Sequence, residues 1–185
     1  MNETLRAIFE RSSCRDFDGT TPAREQLELI AKAALASPSA MNVQPWHICV
    51  IADGGLLSEL DKRGLEAMAA LAPSSYERIM GRGGRLFYGA GALAVVWVKD
   101  SYQPGAELLD CGIVVQSMAL AAQSIGLGSC ICGLAQYCFA GTDGEGLAQD
   151  CGRPEGYRFG MGVLLGRAKS AAAPHEPDGG KLSFR

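Results

Sequence analysis

Residues 37–46 read SPSAMNVQPW, a connector that packs two prolines, two serine hydroxyls and two side-chain amides between a helical pattern and an apolar run. Ser39, Asn42 and Gln44 offer hydrogen-bond donors and acceptors along a loop that Pro38 and Pro45 stiffen. Nothing in the stretch is a strong nucleophile or base. Its chemistry suits holding a polar ligand better than attacking one, although proline, serine and asparagine also mark an ordinary turn. The flanking sequence decides between the two.

Upstream, Leu27, Ile30, Ala31, Ala34 and Leu35 trace one apolar helix face that ends at Ser37-Pro38, with Thr21 and Pro22 as the expected N-cap and first helical residue. Before that, Leu5, Ile8 and Phe9 recur at helical spacing and deliver the chain to RSSCRDF, residues 11–17, read as a loop. Downstream, residues 46–51 form a short apolar, β-branched run expected as a strand, and Gly54-Gly55 is expected to break the chain before a helix over 56–71. Between 72 and 91 the periodicity is lost and Arg78, Arg82 and Arg85 sit among glycines, which reads as a mobile, basic loop. Residues 93–98 are the clearest strand and 106–125 the clearest helix, apolar on most sides. A chain of 185 residues struggles to cover such a helix, so one face is expected to pack against a second copy. Gly126-Leu127-Gly128 ends it, 129–133 reads as a short strand or turn, and 159–165 as a last core strand. The tail from Ala171 to Gly180 reads as a linker, and Leu182, Ser183 and Phe184 as a segment able to add a strand to a partner.

Length fits one domain over 1–185. Hydrophobic content of 48%, charged content of 20% and 24 glycines describe an ordinary globular chain with many tight turns. A net charge of -3 disfavours nucleic acid or an anionic membrane as main partner. With no signal-like start and no apolar run of membrane length, the expected location is cytoplasmic. Seven scattered cysteines, an odd number, fit reduced thiols rather than a disulfide framework. Cys130 and Cys132 form a C-x-C near Cys138, but with only two histidines and no C-x-x-C, buried thiols are the better account than a metal site.

The familiar catalytic constellations are missing. There is no G-x-S-x-G elbow and no Walker loop. Residues 89–94 spell G-x-G-x-x-A, yet they precede a strand, where a dinucleotide fingerprint follows one, so they read as a turn. His47, beside Trp46, is read as a structural histidine ahead of a general acid. With no acid, base or nucleophile set, an enzyme built on this chain would lean on a cofactor. Arg11, Ser12, Ser13 and Arg15 then gain interest: two guanidinium forks and two hydroxyls at a helix end match a phosphate and its polyol, or simply complement the helix dipole.

RSSCRDF followed about 25 residues later by SPSAMNVQPWHICVI resembles the nitroreductase family, FMN-dependent homodimers of α+β fold with a mostly antiparallel central sheet flanked by helices and an exchanged C-terminal segment. FYGAGALAVVWV is similar to the family's central strand and its lead-in, DCGIVVQSMALAAQSIGLGSCICG to its long helix and flavin-facing turn, and GYRFGMGVLLGRA to its final strand. The resemblance implies that Arg11, Ser12, Ser13 and Arg15 hold the FMN phosphate, ribityl chain and pyrimidine edge, with Arg167 at the phosphate. It implies that Pro38, Ser39, Ala40 and Asn42, with Gln44 nearby, approach the flavin from the partner subunit, and that backbone groups of Ile131, Cys132 and Gly133 face its reactive ring. It further implies NADH or NADPH as reductant, a nitroaromatic, quinone, enone or flavin as acceptor, no catalytic side chain and no metal. Gly91, Ser117 and Ile131 depart from the family's usual proline, asparagine and aromatic. A non-catalytic flavin-binding sensor or store, and a flavin-fragmenting or dehalogenating enzyme of the same fold, remain as alternatives.

Overall fold

The computed structural model describes residues 1–141, 144–170 and 172–185. Four strands, β1 (Trp46–Ile51), β2 (Ala92–Val98), β3 (Gly128–Cys132) and β4 (Arg158–Gly166), form one antiparallel sheet in the order β1-β2-β4-β3. Every residue of β2 is buried because helices cover both faces of the sheet, which is why its sequence is a continuous apolar run without alternation. Leu93, Val95 and Trp97 enter one core with helices α3 (Gly54–Leu71), α4 (Pro73–Met80) and α6 (Gly144–Asp150). Ala92, Ala94, Val96 and Val98 enter the other, with α2 (Arg24–Leu35) and α5 (Ala106–Ser124). A short α1 (Glu3–Glu10) precedes them, capped by the Asn2 side chain, which accepts from the Leu5 N–H.

Several local expectations are corrected. Helix α2 starts at Arg24 rather than after Thr21, because the Gln26 side-chain oxygen accepts from the Ala23 N–H at 3.0 Å and fixes Ala23 as the cap. Leu35, expected on its apolar face, is 56% exposed. Gly54 and Gly55 do not break the chain but form the first turn of α3, where Asp53 accepts from the Leu56 N–H at 2.7 Å. Residues 73–80, expected as loop, are the helix α4, begun by Pro73 and anchored by Ile79. His47, read as a structural histidine ahead of a general acid, is exposed and meets the Tyr157 ring edge-on.

The turn into β2 follows the sequence reading, with Gly89 at φ 76°. Gly91 matters for a different reason: a Cβ there would lie 2.1 Å from the Thr20 carbonyl oxygen, so only glycine lets the two backbones meet. On α5, Glu107 and Asp110 are buried while Leu108, Leu109 and Ile113 are exposed, Leu109 at 74%. The inward acids and outward leucines reverse the usual arrangement of a surface helix. The described part of the tail is exposed, with Phe184 at 89%, and forms no strand with its own chain; Ala171, the first residue of the expected linker, lies outside the described residues. Among the described residues, no helix is long and apolar enough to cross a membrane.

Candidate flavin site

Residues 11–18 leave α1 at Arg11 and lie along the outer side of β3. Ser13 pairs with Ser129 in a parallel bridge, and the Cys14 N–H donates to the Ser129 carbonyl at 2.8 Å. Phe17, buried, anchors the far end: its N–H donates to the Tyr88 carbonyl at 3.1 Å, and the next residue, Asp18, donates to the Arg167 carbonyl at 3.1 Å. The arm is therefore a partial extra strand that ties β3, the lead-in to β2 and the end of β4 together. It places Arg11, Ser12, Ser13 and Arg15 beside β3, with Arg167 adjoining.

The charges of this arm register on the sheet. Arg15 and Arg11 both draw down the Cys130 thiol, although burial dominates and pushes it above its ordinary value. Arg167 lies 3.6 Å from the Asp18 carboxylate, an exposed pair of small energetic weight that leaves the guanidinium accessible. Asp18 is itself held below the usual carboxylate range, first by the Thr20 backbone N–H. Along β3, Cys130 and Cys132 are buried whereas Ile131 is 40% exposed. Gly133 follows at the start of a 3-10 turn; a Cβ there would meet only Met161 Sδ, at 3.7 Å, so the chain's own packing does not demand glycine. Room is left over that position for something outside the chain.

The second group sits elsewhere. Residues 38–44 fold over α5: the Ala40 N–H donates to Asp110 Oδ1 at 3.2 Å, and Ser37 Oγ donates to Ser117 Oγ at 2.8 Å, which donates on to the Ile113 carbonyl at 3.0 Å. Ser39 Oγ accepts from the Gln44 N–H at 2.9 Å, and the Gln44 side-chain amide donates to Asn42 Oδ1 at 2.9 Å. Met41, Asn42 and Gln44 all adopt positive φ, of 52°, 54° and 49°. For non-glycine residues this conformation costs on the order of 1 kcal/mol or more each and gathers at functional sites. Pro38, Met41, Asn42 and Gln44 are exposed and Ser39 and Ala40 half-buried.

The structure thus gathers the expected residues into two sets. Arg11, Ser12, Ser13, Arg15 and Arg167 lie on the arm and just past β4, where Ser12, Cys14, Gln123 and Gly128 line a depression of about 240 Å³, and Ile131, Cys132 and Gly133 follow at the far end of β3. Pro38, Ser39, Ala40, Asn42 and Gln44 collect near Asp110. From Asp110 to Gln123 an α-helix climbs about 20 Å, so the turn beside Asp110 and the depression at Ser12 and Gln123 lie apart within one protomer. Two residues that the sequence reading passed over belong here. Tyr88 holds the arm through its carbonyl at φ 53°, and burial raises its phenol, with Arg15 and Arg82 opposing. Asp110 holds the turn at 38–44. Neither has a local signal, since each acts through a segment distant in sequence.

Burial raises the thiols throughout: Cys132 and Cys151 to about 12, Cys111 to about 11, and Cys14, Cys49 and Cys138 in the same direction. All seven cysteines are free.

Residues 8–167 match the model of the nitroreductase family. The fold superposes on a nitroreductase with bound FMN from Desulfitobacterium hafniense with a TM-score of 0.95 and 46% identity, covering 100% of this chain and 99% of that one. A nitroreductase with bound FMN from Bacteroides fragilis shares the fold at a TM-score of 0.88 and 24% identity, with both chains covered completely. A provisionally named NADH dehydrogenase/NAD(P)H nitroreductase of Archaeoglobus fulgidus is 30% identical over 132 residues, which is 70% of this chain and 66% of that protein. The corresponding protein of Methanothermobacter thermautotrophicus is 29% identical, and the match spans 59% of its length.

Proposed function

The chain belongs to the nitroreductase family, and from that premise we propose that it is an FMN-dependent oxidoreductase drawing on NADH or NADPH. The observation that carries this reading is the arm at residues 11–18, fastened to β3 and to the Arg167 carbonyl so that a segment with two arginines and two serines runs along β3 with Arg167 beside it. That donor set is one for a phosphate and a polyol. Bound there, FMN would supply two-electron hydride chemistry between the nicotinamide and an acceptor such as a nitroaromatic, quinone, enone or free flavin. Arg11, Arg15 and Arg167 would neutralise the phosphate, Ser12 and Ser13 would bond the ribityl chain, and the backbone at Ile131, Cys132 and Gly133 would lie against the ring. On this reading no side chain is assigned as acid or nucleophile, which leaves the protein to bind, orient and exclude water. Reductant and acceptor would occupy the same opening in turn, giving ping-pong kinetics.

The site is complete only in a homodimer. A second copy brings Pro38, Ser39, Ala40, Asn42 and Gln44 across to the arm, and the exposed Leu108, Leu109 and Ile113 of α5 supply an apolar surface for that contact. The outer edge of β1, with a groove of about 470 Å³ against Thr21, Pro22, Leu27 and Val50, suits the exchanged C-terminal segment of the partner. The buried, raised thiols favour an enzyme over a thiol-based sensor, and their reduced state suits a cytoplasmic protein.

The test is direct. The purified protein should be yellow or take up FMN with a visible flavin spectrum, and anaerobic NADH or NADPH should bleach it, with colour returning on addition of acceptor. A colourless protein that takes up no FMN sinks the proposal.

A further inference from the structure

We infer that Asp110 is a positioning residue that holds the turn at residues 39–44 in its ligand-ready shape before a second copy or a flavin arrives; the purpose, though not the geometry, rests on the FMN reading above. Asp110 lies on α5 and is 4% exposed. Its Oδ1 accepts the Ala40 N–H, and its Oδ2 is buried without a hydrogen-bond partner among the described residues. Its neighbour one turn earlier, Glu107, has Arg158 as a partner; among the described residues Asp110 has no such cation. A helix core would do better with an apolar residue at such a place unless the carboxylate had a task.

The task is visible in what it grips. Ala40 opens the short turn in which Met41 and Asn42 are left-handed, and Gln44 follows in the same conformation. The bonds from Ser39 to Gln44 and from Gln44 to Asn42 are internal to the turn and cannot fasten it to the fold. Among the described residues, the side-chain ties to the body of the protein are those to α5, Ser37 to Ser117 at the entrance and Ala40 to Asp110 beside the strained residues. Severing the second leaves the left-handed residues free to relax, and Ser39 and Asn42 would then leave the positions from which they reach across the dimer.

Amide exchange in the FMN-free protein, together with FMN titration followed by flavin fluorescence, tests this. Asp110→Ala should speed exchange at residues 40–44 and weaken FMN binding, each by about tenfold or more, the scale expected for losing a bond to a charged acceptor. Asp110→Asn, which keeps an acceptor, should stay within about threefold of the native protein on both measures. Ala40→Pro cuts the same bond from the other side with α5 intact, and Ser39, at φ -135° and ψ 158°, already has the conformation a following proline requires; it should weaken FMN binding like Asp110→Ala. Met118→Ala, a buried truncation on the same helix, should lower the melting temperature while leaving both measures unchanged. Native exchange and binding in Asp110→Ala or Ala40→Pro, or equal losses in Met118→Ala, would overturn the inference with the FMN reading intact. A native protein that takes up no FMN would instead overturn that reading and the purpose assigned here.

Discussion

Arg15 is exposed on an arm whose neighbours Cys14 and Phe17 are buried, so the backbone is fixed while the guanidinium stays available. Replacing Arg15 or Arg11 by alanine should weaken FMN binding by about 1.5 to 3 kcal/mol, the range for a charge-assisted hydrogen bond; equilibrium dialysis at fixed salt would show it, and unchanged retention in both variants would remove the phosphate assignment. Asp61 offers a pH signature. Burial raises its carboxyl above the ordinary value against the opposing Phe87 N–H, bonded at 2.8 Å, and Arg85. The folded state therefore binds this proton more tightly than the unfolded chain, and its contribution to stability falls as pH rises from the unfolded value through the raised one. Asp61→Asn, which keeps the acceptor for Phe87, should be more stable than the native protein in urea at pH 7, and the difference should vanish in acid. At this scale the sequence shows residue types that announce their chemistry, such as the paired arginines. Asp110 and Tyr88 stayed hidden because their partners lie 70 residues away in sequence for Asp110 and at Phe17 for Tyr88.

Among the elements, β1 was legible from its apolar run and matches its expected bounds of 46–51, and α5 from its length. Helix α4 was not, because with eight residues and Ile79 as its one buried residue it carries too little periodicity to stand out among glycines. The start of α2 was misplaced because a side-chain bond from Gln26, rather than the Thr21-Pro22 pair, sets it. Helix α5 also makes a claim of its own. Leu109→Glu places a charge on the exposed face without touching either core, so it should leave the far-UV spectrum unchanged while sedimentation shows a monomer that has lost FMN. A dimer that persists in this variant would move the interface off α5.

For the whole molecule, the proposed division of the site between subunits has a stoichiometric consequence. Arg15→Ala damages the arm and Asn42→Ala the turn, so each homodimer should bind FMN poorly at both sites. In a mixed dimer, one site joins the native arm of one chain to the native turn of the other, and the second site carries both defects. Mixing the two variants under subunit exchange should restore tight binding to one site per heterodimer, read as flavin bound per isolated heterodimer; no recovery would place arm and turn in the same subunit. The main helix and strand segments and, through the family resemblance, the division of the site between subunits were expected from sequence; how far apart one helix sets the two loops was not. That helix acts as a ruler. One residue inserted in α5 between Ser117 and Gln123 would rotate everything beyond it by about 100° and push it along by about 1.5 Å, throwing the arm end out of phase with the turn end. Variation in length should therefore collect in the exposed connection at 99–105, whereas the interval from Asp110 to Gln123 should keep its residue count even where its residues change.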